Sequence, residues 1–177
     1  MKLKTKDVCT IALLTALIAV CAHIRVPAPS GVAFTFQTFA ILLAGFILGK
    51  RNGAIAALLY VWLGVMGVPI FTVGGGPSAL FGRTGGFLLS FPVLAYCGGI
   101  AAQKENFFWQ LGWLIVGTAV NFTSGVLMFA AVTEIGIGAA FMMVALPFLP
   151  TEALKIALAF LLGKVIRRAL RQSGVLV

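Results

Sequence analysis

Between Val32 and Gly49 the chain reads "VAFTFQTFAILLAGFILG", eighteen residues without an acidic or basic side chain. As a helix, at about 1.5 Å per residue, this stretch is about 27 Å long. That is close to the ~30 Å hydrocarbon core of a bilayer. Similar runs recur along the sequence, separated by short polar or Gly/Pro-containing breaks. The composition, 61% hydrophobic and 10% charged with a mean hydropathy of +1.11, leaves too little charge to keep a soluble domain dispersed. The chain reads as an all-α integral membrane protein. Its 177 residues suit one membrane domain over positions 1–177, with room for about six transmembrane helices.

The breaks divide the chain as follows. A first helix is expected from about Asp7 to His23, ended by "RVPAPSG", whose two prolines and glycine cannot continue it. The run 32–49 follows and ends at a basic turn, Lys50-Arg51-Asn52-Gly53. Further helices are expected over about 54–70, 87–102, 107–131 and 151–168. A glycine-rich loop occupies 71–86 and a polar turn 103–106. The segment 132–150 reads as an outer loop with a short, partly buried helix, because Glu134 and Pro147 leave too short an apolar run for another span. The N-terminus "MKLKTKDVCTIALLTALIAVCAHIRV" imitates a signal peptide but offers no convincing cleavage site, so it is expected to remain as the first membrane helix. No short-period repeat or low-complexity segment is present.

The net charge of +9 does not indicate nucleic acid, since the basic residues are not gathered on a polar domain with interleaved aromatics. They lie in clusters between apolar runs. Six spans with both termini cytoplasmic place Lys2, Lys4, Lys6, Lys50, Arg51, Lys104, Lys164, Arg167, Arg168 and Arg171 inside, ten of the thirteen basic residues. Arg25 and Arg83 fall outside, and Lys155 within the membrane. A seventh span would strand the C-terminal cluster outside. The longer loops then share the outer face, where function is expected.

Against this background "FLPTEALKIALAFLLGKVIRR" is anomalous. Glu152 and Lys155 lie three apart, on one helix face. Glu152 is favoured by the helix N-terminal dipole, but Lys155 is at the wrong end of it. Ionisable groups inside a membrane are costly, and a carboxylate beside an ammonium suits a solute with both donors and acceptors. The pair could also simply bond helices to one another. Arg83 stands alone in the glycine-rich loop, as a ligand contact or a headgroup anchor. Gln37 lies near the outer end of its helix, within reach of a pocket; Asn121, in mid-helix, reads as a helix-to-helix bond. Ala12 and Ala16 have small-xxx-small spacing, which suits close helix approach, internally or with a partner. Cys9, Cys21 and Cys97 show no pairing or metal-ligand spacing and read as small packing residues. "GGGPSALFGRTGG" lacks the spacing, lysine and preceding strand of a phosphate loop. No nucleophile–base set, paired carboxylates or metal cluster appears, so neither catalysis nor a cofactor is expected.

Residues 27–91 carry a resemblance. "FQTFAILLAGFILGKRNG", "LLYVWLGVMGVPIF" and "GRTGGF", with "PFLPTEALKIALA" further on, resemble the BioY family, the biotin-binding S components of energy-coupling-factor (ECF) transporters. The family more often has aspartate where this chain has Glu152. The resemblance implies a six-helix S-component fold in the cell membrane with an outer-face pocket for biotin. It implies partners as well: a membrane coupling subunit and two ATPase subunits. Glu152 would accept from the ureido N–H groups, while Lys155 and Arg83 would donate to the ureido carbonyl or the carboxylate, in either order. Gln37 would reach the pocket, and Phe34, Phe36, Phe71 and Phe81 would line it for the apolar rings and tail. Ala12 and Ala16 would dock the coupling subunit. An S component for another vitamin, or a structural membrane protein without transport, are the competing readings.

Overall fold

The computed structural model describes residues 4–173. Helix α1, Thr5–His23, begins where the Asp7 carboxylate accepts the Lys4 backbone N–H at 3.1 Å. One face, with Ile11, Leu14 and Ile18, is buried; Val8, Ala12, Leu13, Ala16 and Val20 are exposed. The proline-containing break that follows is drawn together by a small antiparallel ribbon, β1 (Arg25–Val26) against β2 (Phe34–Thr35). This ribbon is a minor addition to an otherwise helical chain, and it takes the first residues of the 32–49 run out of the helix.

Helix α2, Gln37–Val65, consists of two helical arms that reverse at Gly49, whose φ of 81° and ψ of 173° are far from helical. The reversal follows from its contacts. Gln37 bonds to Tyr60, twenty-three positions on, and Gly53 lies against Gly45. At about 1.5 Å per residue a straight helix would hold the first pair some 34 Å apart. The expected turn at Lys50–Gly53 is therefore corrected: Gly49 alone makes it, because a glycine tolerates the left-handed region, and residues 50–53 are already helical. The second arm ends at Val65 rather than near 70.

The 71–86 loop contains a short helix, α3 (Ser78–Phe81), and a Phe71–Gly74 bridge. Helix α4, Gly85–Ala101, packs along the first arm of α2, and α5, Phe107–Thr133, packs on α4. The Asn106 side chain caps α5 by accepting the Trp109 N–H at 3.0 Å. Helix α6, Ile137–Val144, buries Ala140 and Val144, so the segment 132–150 is the expected short, partly buried helix. A 3-10 turn at Leu146–Phe148 leads into α7, Leu149–Gln172, which returns along α2.

Four helical stretches, Thr5–His23, Gln37–Val65, Phe107–Thr133 and Ile137–Leu170, are long and apolar enough to cross a membrane, and Gly85–Ala101 is a shorter apolar helix. The bundle has two dissimilar ends. At one, Asn52 meets Asp7 and Arg167 donates to the Phe46 carbonyl at 2.7 Å. Lys50 and Arg51, at the start of the returning arm of α2, and Lys104, in the turn between α4 and α5, lie there. At the other end are the ribbon, the 71–86 loop and α6. Lys2 and the Arg171 side chain fall outside the described residues.

Candidate functional site

The site lies at the ribbon end, between α2, α4, α5 and α7. The 3-10 turn sets α7 off so that Glu152 comes in its first turn, and Lys155 follows one turn later on the same face. Both are buried, at 3% and 5% exposure. Lys155 Nζ stands 2.5 Å from Glu152 Oε1. Thr38, in the first turn of α2, completes the group. Its hydroxyl lies 2.9 and 3.1 Å from the two Glu152 oxygens, and Lys155 Nζ lies 3.3 Å from Thr38 Oγ1. A hydroxyl has one proton and two lone pairs. Thr38 therefore donates to the carboxylate and accepts from the ammonium.

Removing two charges from water is expensive, and mutual attraction offsets it only when further hydrogen bonds complete the shells. Here they are incomplete by design of the chemistry. An ammonium has three donors and a carboxylate about four acceptor positions; the contacts above leave one donor and some acceptors unused.

Two amides lie nearby. Gln37 Nε2 donates to Tyr60 Oη at 2.7 Å, and Tyr60 donates onward to the Ile70 carbonyl at 2.9 Å, which fixes the amide's orientation. Asn121, in mid-α5, donates from Nδ2 to the Phe87 carbonyl at 3.0 Å and to Ser90 Oγ at 2.7 Å, both on α4. The helix-to-helix bond expected of Asn121 is present.

These groups share one cavity with an aromatic wall of Phe71, Phe87, Phe91, Phe122 and Phe148. Thr35, Thr72 and Thr84 add hydroxyls at its edges. The cavity volume is about 60 Å³. Small-molecule pockets are mostly apolar with a few placed polar groups, as this lining is, but run to roughly 300–1,000 Å³, so a solute of that size enters only as the walls move apart. A second, apolar furrow of about 530 Å³ runs between α5 and α7, and Phe122 and Glu152 stand on the wall between the two. Among the described residues no cluster of His, Cys, Asp and Glu could hold a metal ion.

Residues 1–172 match the family model described as "BioY family". The chain is 32% identical over 163 residues to a probable biotin transporter BioY of Pyrococcus horikoshii, covering 92% of this chain and 96% of that one. It is 34% identical over 167 residues to biotin transporter BioY2 of Lactococcus lactis, covering 93% and 91%. A crystal structure of the S-component for biotin from an ECF-type ABC transporter superposes with a TM-score of 0.85 over 94% of this chain and 95% of the other, at 21% identity. This chain belongs to the BioY family. The relatives named here are transporters, not enzymes, and the solved S component shares the fold.

In this BioY family member the structure brings Glu152, Lys155, Gln37 and Phe71 together and leaves the other expected pocket residues outside. Phe34 stacks on Phe148, ring centroids 3.9 Å apart, and so stands behind the wall rather than on it. Phe36 is exposed and meets Phe39 edge-on, and Phe81 is 75% exposed; neither lines the cavity. Arg83 is exposed. It does not pair with Glu152 and occupies a neighbouring depression with Gly31 and Ser78, which meets the cavity at Thr84. Ala12 and Ala16 are exposed on α1, so internal packing does not explain them. Thr38, Tyr60 and the aromatics of α4 and α5 are the contributors that the sequence reading missed.

Proposed function

We propose that this chain is the biotin-binding S component of an ECF-type importer in the cell membrane. The observation that carries the reading is the buried Glu152–Lys155–Thr38 cluster, with unused donor and acceptor capacity, in a cavity with an aromatic wall. Biotin's ureido ring has two N–H donors next to a carbonyl acceptor. That matches adjacent acceptor and donor on Glu152 and Lys155. Its sulfur ring and aliphatic tail suit Phe71, Phe87, Phe91 and Phe122. Its carboxylate would then extend toward Thr84 and Arg83 at the mouth.

The six spanning segments are α1, the two arms of α2, α4, α5 and α7. The concentration of basic residues at the end opposite the cavity supports cytoplasmic termini and a pocket open to the outside. Energy for import would come from two ATPase subunits through a membrane coupling subunit. Isothermal titration of purified protein with biotin tests the core of this reading. Saturable binding at one site, competed by no other vitamin at equal concentration, is expected. No binding of biotin, or tighter binding of a different vitamin, would overturn it.

A further inference from the structure

Asn121 is 1% exposed, and its Oδ1 is a buried oxygen without a hydrogen-bond partner among the described residues. The amide cannot be turned round to relieve this. Its Nδ2 faces the Phe87 carbonyl, which only accepts. Ser90 Oγ, the other neighbour, has the Gly86 and Phe87 carbonyls 3.0 Å away to receive its proton, so it too accepts from Asn121. Oδ1 therefore stays on the side away from α4. A buried acceptor left unmet is a rarity that calls for a cause.

The side chain borders the cavity that holds Glu152 and Lys155. Glu152 already receives Lys155 and Thr38, whereas Asn121 Oδ1 receives nothing. The two sit on different helices, α7 and α5, with Phe122 beside both. A cyclic urea carries two N–H groups pointing apart and needs two separate acceptors. We infer that Asn121 is a specificity-determining residue whose Oδ1 accepts one ureido N–H while Glu152 accepts the other. This assignment rests on the biotin reading above. It makes the α4–α5 contact part of the recognition device: Phe87 and Ser90 hold the amide, and α5 presents its oxygen.

The test titrates wild type and Asn121→Ala with biotin and with two analogues, each methylated on one ureido nitrogen. In the wild type each methylation should weaken binding roughly tenfold or more, because a buried acceptor loses its donor. In Asn121→Ala biotin itself should bind roughly tenfold or more weakly, and one of the two methylations should no longer cost affinity. Equal losses for all three ligands would overturn the assignment, as would unchanged biotin affinity in the variant. If Asn121→Ala cannot be recovered folded, the wild type still decides against it: tolerance of either methyl group means that one N–H has no acceptor. A wild type that fails to bind biotin at all would fell the biotin reading and this assignment together. A wild type that binds biotin with an indifferent Asn121 would fell the assignment alone.

Discussion

Lys155 is the residue whose position is hardest to explain without a ligand. It lies near the N-terminal end of α7, where the helix dipole opposes a cation, and it is buried beside the single apolar-flanked carboxylate of that helix. Replacing it by alanine removes a donor from the cavity and leaves solute acceptors unmet. We expect Lys155→Ala to weaken biotin binding by about 2 kcal/mol or more, some thirtyfold in Kd. Titration calorimetry checks this, and wild-type affinity in the variant would reduce the pair to a helix-packing device. Thr38→Val should cost about 1 kcal/mol of binding, since the cluster loses the hydroxyl that orients it; no change would mean that Lys155 alone fixes Glu152. Glu152 and Lys155 were legible because charge in an apolar helix is conspicuous. Thr38 was not. A helical threonine usually bonds back to its own helix, as Thr118 does with the Leu114 carbonyl and Thr123 with that of Ala119. Nothing in the sequence marks the one that reaches across to α7. Arg83 shows the converse: its isolation was visible, but the loop's path decides where it points.

At the scale of elements, the α2 hairpin depends on close backbone contact. A Cβ added at Gly45 would overlap the Ala95 carbonyl oxygen on α4, and Gly53 of the returning arm already lies against Gly45. Gly45→Ala must push backbone away from backbone, with no flexible side-chain end to give way. Overpacking of this kind costs about 1–3 kcal/mol, so a lower unfolding temperature in detergent is expected; an unchanged one would show that α2 and α4 can separate freely. The sequence showed that glycines and small residues were frequent but not which of them meet. Its basic run Lys50–Gly53 looked like a loop because charge usually marks one, whereas Gly49 alone turns the chain and the charges ride on the next helix. The glycine-rich 71–86 loop is tied down in part: Phe71 is buried, Gly76 N–H bonds to the Gly64 carbonyl at 2.8 Å, and Arg25 donates to the Thr72 carbonyl. Phe71, Thr72 and Thr84 border the cavity, so a bound solute would add contacts along this segment. Amide hydrogen exchange over residues 71–86 should slow on addition of biotin. Equal exchange with and without bound biotin would make the loop a fixed wall and move the gate to 132–150.

The molecule as a whole has a recognition end, a basic end, and one flank that neither explains. Along that flank of α1, Ala12 and Ala16 lie one turn apart, with Val8, Leu13 and Val20 exposed around them. Small residues between larger ones form a shallow trough in which a second helix approaches closely, and in lipid such close packing is a main source of helix association. The spacing was readable from the sequence, but whether it faced inward was not, since alanine is equally at home in a core. The buried face of α1, Ile11, Leu14 and Ile18, settles that the alanines face outward. Under the proposed function this trough receives the coupling subunit. Ala12→Trp or Ala16→Trp would fill it with an indole far from the cavity, so biotin affinity should stay at the wild-type value while co-purification with the coupling subunit falls sharply and uptake stops. The two readouts separate a docking defect from a folding defect, because a misfolded variant would lose biotin as well. An unchanged yield of complex with either tryptophan in place would mean that these alanines face lipid and that the coupling subunit docks elsewhere on the bundle.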